Sequence, residues 1–167
     1  MRRPHFLWGG TAELAFYVLI LSIFIACVVF AAVEAAAEPA LNPAVTQATI
    51  GSTICVKGWT KTVRPPWYTT SRIKLGMLKA RGESWIDARK YELDHIVPLC
   101  LGVAPADTSN LQLELWDEAH RKDRVEVQAM RCVCAGKATL DEARHDLETD
   151  WRAAYHKYAV MTCRRQK

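Results

Sequence analysis

Apolar and polar positions follow one another in distinct registers along this 167-residue chain, and each register predicts an element. Leu14 to Val33 is a run of twenty residues without a charge, after Arg2, Arg3 and His5 and before Glu34-Ala-Ala-Ala-Glu38. A basic start, an apolar stretch and an Ala35-x-Ala37 site make the pattern of a secretory signal. The stretch is also long enough to cross a bilayer once as a helix. Residues 1–37 therefore read as a signal peptide or an uncleaved N-terminal signal anchor. In both cases Arg2 and Arg3 favour an inside N-terminus, which exports the rest of the chain.

The remaining pattern predicts a linker over 38–52, where Pro39 and Pro43 interrupt a stretch with little periodicity, and a domain over 53–167. Thr53 to Tyr68 reads as a short extended segment that turns at Gly58 and stiffens at Pro65-Pro66. Ser71 to Ala80 fits a helix, with Ser71 as N-cap, Ile73, Met77 and Leu78 on one side, and Arg81-Gly82 at its end. Tyr91 to Val97 reads as a strand, stopped by Pro98. Leu111, Leu113 and Leu115 alternate with Gln112 and Glu114, the period of a half-buried strand. A helix follows from Asp117 to about Val133, its inner face expected at Ala119, Asp123, Val127 and Met130. Beyond Gly136, Thr139 and Glu142 form a capping box. Leu140, Ala143, Leu147, Trp151, Ala154 and Tyr158 then make an amphipathic stripe, with His145 and His156 off it on the surface. Short strands interleaved with helices predict an α+β domain.

Cysteine usage agrees with export. Cys27 lies in the apolar segment, leaving Cys55, Cys100, Cys132, Cys134 and Cys163 for the domain. In an oxidising compartment these are disulfide candidates, and an odd number leaves one thiol free or paired between chains. Cys132-x-Cys134 is also half of a zinc site, but no second pair stands at ligand spacing. Charge is uneven. Residues 57–90 carry nine Lys or Arg against two acids, whereas residues 91–167 carry eleven against thirteen. A basic block beside an acid-rich stretch suits a polyanion, its phosphates on the first and a cation on the second. Ordinary solvated lysines would give the same count. Within the basic block, Lys61 and Arg64 are the candidate phosphate contacts, and Arg64-Pro-Pro-Trp67-Tyr68 sets basic and aromatic groups in line along a strand of nucleic acid. A turn packing Trp67 into the core is the alternative.

The stretch Tyr91-Glu-Leu-Asp-His-Ile-Val-Pro-Leu99 carries the chemistry. It sets a carboxylate (Asp94) beside an imidazole (His95) where a strand must stop. Asn110-Leu111 opens the next strand, and His120, Lys122 and Asp123 stand on the helix after it. A carboxylate that holds a hard cation, a histidine that takes a proton and an asparagine that braces a loop are parts of a phosphodiester hydrolase.

In order and spacing, Asp94-His95, Asn110-Leu111 and His120-Arg-Lys122 resemble the HNH (ββα-metal, His-Me finger) nuclease family, with 15 residues from His95 to Asn110 and 10 from Asn110 to His120. The likeness covers residues 91–126. A looser one over 53–158 is to small exported bacterial HNH-like proteins with TxCxxGWT…VRPP, DHxxPLxLG and KDxxE segments. It implies a ββα-metal core with additional helices and a metal-dependent endonuclease of low sequence specificity, acting in the periplasm or outside the cell. One divalent ion is expected, Mg²⁺ or Mn²⁺ ahead of Zn²⁺ or Ni²⁺. The partner is nucleic acid, DNA ahead of RNA, and also the membrane if residues 14–33 remain as a tether. By the resemblance Asp94 is a metal ligand, His95 the general base, Asn110 the brace that orients it, and His120 the second ligand. Lys122 then faces a phosphate, and Cys55 pairs with Cys134. Two positions depart from the family pattern. The usual helix ligand, three residues before Lys122, is Ala119, which makes Asp123 an alternative to His120. The expected Gly-Gly is Gly102-Val103, strained if Val103 takes a positive φ. The competing reading is a catalytically inactive, disulfide-stabilised extracytoplasmic module that binds nucleic acid or a protein partner.

Overall fold

A computed structural model describes Leu19 and residues 39–163. The expected signal or anchor over 1–37 lies outside the described residues, Leu19 apart. Among the described residues no helix is long and apolar enough to cross a membrane. The chain divides into two units, 1–37 and 38–167.

The second unit is α+β. A 3-10 turn at Ile50–Ser52 leads into a short helix α1 (Trp59–Val63) and a longer α2 (Trp67–Ala80), followed by a 3-10 segment at Trp85–Lys90. Strand β1 (Tyr91–His95) pairs antiparallel with β2 (Leu111–Leu115), in a register that sets Leu93 opposite Leu113 and His95 opposite Leu111. Helix α3 (Trp116–Cys134) leaves β2 with no intervening loop, and α4 (Leu140–Ala159) packs back along it. The core lies between these helices and the loop after β1, where Leu101, Val103, Ala129, Cys132, Val133, Ala143 and Tyr158 are sealed from solvent. The capping box of Thr139 and Glu142 opens α4 as its sequence requires. Trp151 packs against the core. At Asp150 the backbone of α4 leaves helical geometry, and the Asp150 carboxylate recaps it by accepting from the Arg152 and Ala153 N–H groups.

The structure corrects several expectations. Residues 40–52 are no loose linker: Leu41 bridges to Val103, and Val45 is 3% exposed in the core. Arg144 holds this segment in place, its guanidinium donating to the carbonyls of Leu101, Gly102 and Val45. The close approach also explains Gly102. Its φ is +78°, and a Cβ there would lie 2.3 Å from Val45 Cγ1. Val103 does not take a positive φ, so the Gly102-Val103 turn carries no strain.

Thr53 to Tyr68 is not extended but turns into α1, and α2 starts at Trp67 instead of Ser71. Pro66 ends the break, and its fixed φ of −58° suits the entry to a helix. Strand β1 ends at His95, two residues short of Val97. The inner face of α3 is Ala119, Lys122, Val125, Ala129, Cys132 and Val133, while Asp123 and Val127 are exposed. Counting Lys122 as a surface residue turns the expected face by about one position.

Candidate active site

Neighbours on a regular strand face opposite ways. Because β1 stops at His95, both Asp94 and His95 line one cleft, with Thr60 and Arg64 of the α1 region on one side and Asp123 and Glu126 of α3 on the other. Asn110 makes the strand stop there. Its side chain is fully buried and clamps Val97 at two points: Oδ1 accepts from Val97 N–H at 2.8 Å, and Nδ2 donates to the Val97 carbonyl at 2.9 Å. The Asn110 carbonyl also accepts from Ile96 N–H. The backbone leaving His95 is thus fixed by one residue from across the loop, the bracing place that the resemblance implies.

His95 is half-buried, and its Nε2 lies 3.2 Å from the Pro105 carbonyl oxygen. A carbonyl only accepts, so Nε2 carries the proton and Nδ1 is the basic atom of the neutral ring. Burial lowers the His95 pKa below its ordinary value, against the Pro105 hydrogen bond and the Asp94 charge, which raise it. The ring is therefore neutral at pH 7 and able to accept a proton.

Behind the cleft lies a buried polar cluster. Lys122 is 1% exposed, and its Nζ donates to Asp94 Oδ2 at 2.7 Å, Glu126 Oε1 at 2.6 Å and the His95 carbonyl at 2.5 Å. Asp94 Oδ1 accepts from His95 N–H at 2.8 Å. Burial works against the Asp94 charge, but hydrogen bonds from Glu114 and Lys122 prevail and hold Asp94 ionised below its usual range. Burial, with the Asp94 hydrogen bond, pushes Glu114 up to about 8; burial pushes Glu126 up to about 7 despite Lys122 beside it. Lys122 stays charged, because the two carboxylates outweigh its desolvation. Glu92, on the same strand face as Asp94, is raised by burial and by the nearby Asp123 and Asp94 charges.

Of the remaining candidates, Lys122 sits inside this cluster and the rest lie outside it. Lys122 is buried and cannot face a phosphate. His120 is exposed on α3, its ring centroid 5.5 Å from that of Trp116, and does not line the cleft. Asp123 is exposed on the cleft wall, as is Arg64, while Lys61 is exposed beside it on α1. Trp67 and Tyr68 are 78% and 57% exposed, so the aromatic pair after Pro66 faces solvent and not the core. Cys55 is joined to Cys134, and Cys132 to Cys163. The second bond removes the half zinc site. Cys100 keeps a free thiol, which burial raises well above the ordinary range.

A hard divalent ion needs several oxygen ligands. The ligand set of the resemblance, Asp94 with His120 or Asp123, does not fit one. Lys122 and the His95 amide already engage the Asp94 carboxylate, and His120, though its charge reaches Glu92, does not line the cleft. Among the described residues no three His, Cys, Asp or Glu side chains are grouped to hold a metal. Glu114 and Glu126, the partners that complete the cluster, receive no role from the sequence, although Glu126 closes the KDxxE segment. Glu126 carries a signal, standing at i+4 from Lys122 on one helix. Glu114 carries none, because its pairing depends on the strand register. No protein-family model, no curated protein and no solved structure matches this chain.

Proposed function

We propose that this domain is a nuclease of the HNH type that cleaves phosphodiester bonds of nucleic acid, with His95 as its general base. The observation that carries the reading is the state of His95: neutral, its Nε2 proton held by the Pro105 carbonyl, in a cleft beside Asp94 at the end of a strand that Asn110 clamps. The order β1, β2, α3 around that cleft supports a ββα core.

In the reaction, His95 Nδ1 takes the proton of an attacking water. The hydroxide oxygen bonds to phosphorus, the bond to the leaving alkoxide breaks, and that alkoxide takes a proton from solvent. Arg64 offers its guanidinium to the phosphoryl oxygens. Asp94, held by Lys122, fixes the His95 backbone through its amide. Lys61, Trp67 and Tyr68 extend the binding surface along the strand, with stacking that tolerates any base. Two disulfides are compatible with a location outside the cytoplasm.

A second reading, a binding module without catalysis, has one observation in its favour. Among the described residues, Arg64 is the one accessible basic side chain lining the cleft, against Glu92 and Asp123. The two readings part on a nicking assay with the oxidised protein, supercoiled plasmid or structured RNA, and Mg²⁺, Mn²⁺ or EDTA. Cleavage by the wild type that disappears in His95→Ala, with folding unchanged by circular dichroism, is expected. Intact DNA and RNA under every ion would leave the binding module.

A further inference from the structure

We propose that the Lys122 ammonium is the resident cation of this site, filling a cradle of oxygen atoms that would otherwise take a divalent metal ion. The cradle holds this cation whether or not the cleft cleaves nucleic acid. It has three walls from two parts of the fold: the Asp94 carboxylate and the His95 main-chain carbonyl at the end of β1, and the Glu126 carboxylate one turn further along α3. All three lie 2.5–2.7 Å from Nζ. An ammonium has three protons, and each wall takes one. Two carboxylates and a carbonyl are also the donor types that Mg²⁺, Mn²⁺ and Ca²⁺ prefer. Lys122 reaches them from inside the protein, with 1% of its side chain exposed, so the cation is supplied covalently and does not exchange with solvent.

Placement on α3 explains why the lysine cannot also serve the substrate. Lys122 belongs to the helix face carrying Ala119, Val125 and Ala129, which packs inward, whereas His120 and Asp123 flank it on the outer face. The resemblance places the helix lysine near the substrate and a metal at Asp94. Here the lysine occupies the metal's place and leaves its own beside the substrate.

The test is thermal melting of the purified, oxidised protein in EDTA and in millimolar Mn²⁺, on the wild type, Lys122→Ala, and Lys122→Ala combined with Asp94→Asn. Ions that bind the folded state raise its Tm by mass action, so Tm reports occupancy without any activity. The wild type is expected to melt at the same temperature in both buffers, or to show a shift that Asp94→Asn leaves intact. Lys122→Ala should melt many degrees lower in EDTA, or fail to fold there, and recover by several degrees in Mn²⁺. The double variant should lose that recovery. Mn²⁺ electron paramagnetic resonance should count about one bound ion in Lys122→Ala that the double variant lacks. A wild-type Mn²⁺ shift abolished by Asp94→Asn would overturn the proposal, because it would put metal and lysine at Asp94 together. A Lys122→Ala protein that Mn²⁺ neither binds nor rescues would overturn it equally, showing the cradle to be an ammonium site alone.

Discussion

At the scale of single residues, the site is governed by groups whose surroundings set their charge. Asn110 is the plainest case. Replacing it with Ala leaves the buried Val97 N–H and carbonyl without partners, at a cost of about 1–3 kcal/mol for each orphaned group. Urea unfolding of Asn110→Ala should show that loss. If the clamp positions His95, cleavage by the fraction still folded should fall further than stability explains. Asn110→Asp keeps an acceptor for Val97 N–H but sets a second oxygen against the Val97 carbonyl at a fully buried position, and should be no more stable than Asn110→Ala at pH 7. Glu114 and Glu126 predict the response to pH. Their folded values, about 8 and about 7, lie above the ordinary carboxylate value of 4.5. The folded state therefore binds more protons than the unfolded chain above pH 4.5. Their contribution is complete below that value and is lost as pH rises through about 7 and 8. His95 has the opposite sense: its lowered value withdraws stability only as pH falls below its unfolded value near 6.5. The Tm should hence decline between about pH 4.5 and pH 8, more gently below about 6.5 where His95 works against it, and Glu114→Gln, which cannot ionise, should flatten that decline. An unchanged slope in the variant would mean that Glu114 is ionised throughout.

At the scale of elements, the basic and aromatic surface makes the sharpest prediction. Trp67 opens α2 and is 78% exposed, so its indole adds little to folding and is available to a base. Stacking of this kind contributes about 1–3 kcal/mol per base. In a His95→Ala background, which keeps the oligonucleotide intact, Trp67→Ala should weaken binding of a single-stranded oligonucleotide at least about fivefold with Tm unchanged. Anisotropy measures the first and melting the second; undiminished affinity would remove Trp67 from the binding surface. The same elements show what the sequence can convey. Both strands, α3 and α4 follow from local periodicity, and their ends agree with the expected ones to within about two residues. The start of α2 is harder to place, because Pro65-Pro66 marks a break as readily as a helix entry. The register of α3 is obscured for a different reason. Lys122 counts as polar in any periodicity, yet Asp94 and Glu126 make it an inward residue. Nothing near Val45 in sequence points to Gly102 or to Arg144, so the packing of residues 40–52 is illegible in the chain alone. Asp94, His95 and Asn110 can be found because they stand at strand ends, where spacing alone brings them together. Glu126 is reachable through its i+4 spacing from Lys122, whereas the Glu114 partner needs the folded strand register.

For the whole molecule, the question is what holds a small α+β unit with a two-stranded sheet together. Much of its core is Ala and Val beside the two disulfides, and both bonds converge on the end of α3. Cys55–Cys134 ties the segment before α1 to that end, spanning 79 residues, and Cys132–Cys163 ties in the segment after α4, spanning 31. On chain-entropy grounds the loops are worth about 4.5 and about 3.7 kcal/mol, because the cost of closure grows only with the logarithm of loop length. Set against the roughly 5–15 kcal/mol typical of a whole domain, either is a large share. Reduction should therefore lower Tm steeply and bring the unfolded chain within reach at moderate temperature. The paired replacements separate the contributions. Cys55→Ala with Cys134→Ala should cost somewhat more in urea unfolding than Cys132→Ala with Cys163→Ala, and each variant should retain the far-ultraviolet spectrum of the helices at low temperature. If the shorter loop proves the costlier to open, packing around the buried Cys132 and Cys163, and not loop closure, sets the stability. The bonds also bear on the cleft. Cys134 ends the helix that carries Lys122 and Glu126, so releasing it frays α3 from its C-terminal end. The Lys122 cradle, about three turns away, should survive that fraying in the single-bond variants and fail only when both bonds are open, which a loss of cleavage in the fully reduced protein alone would show.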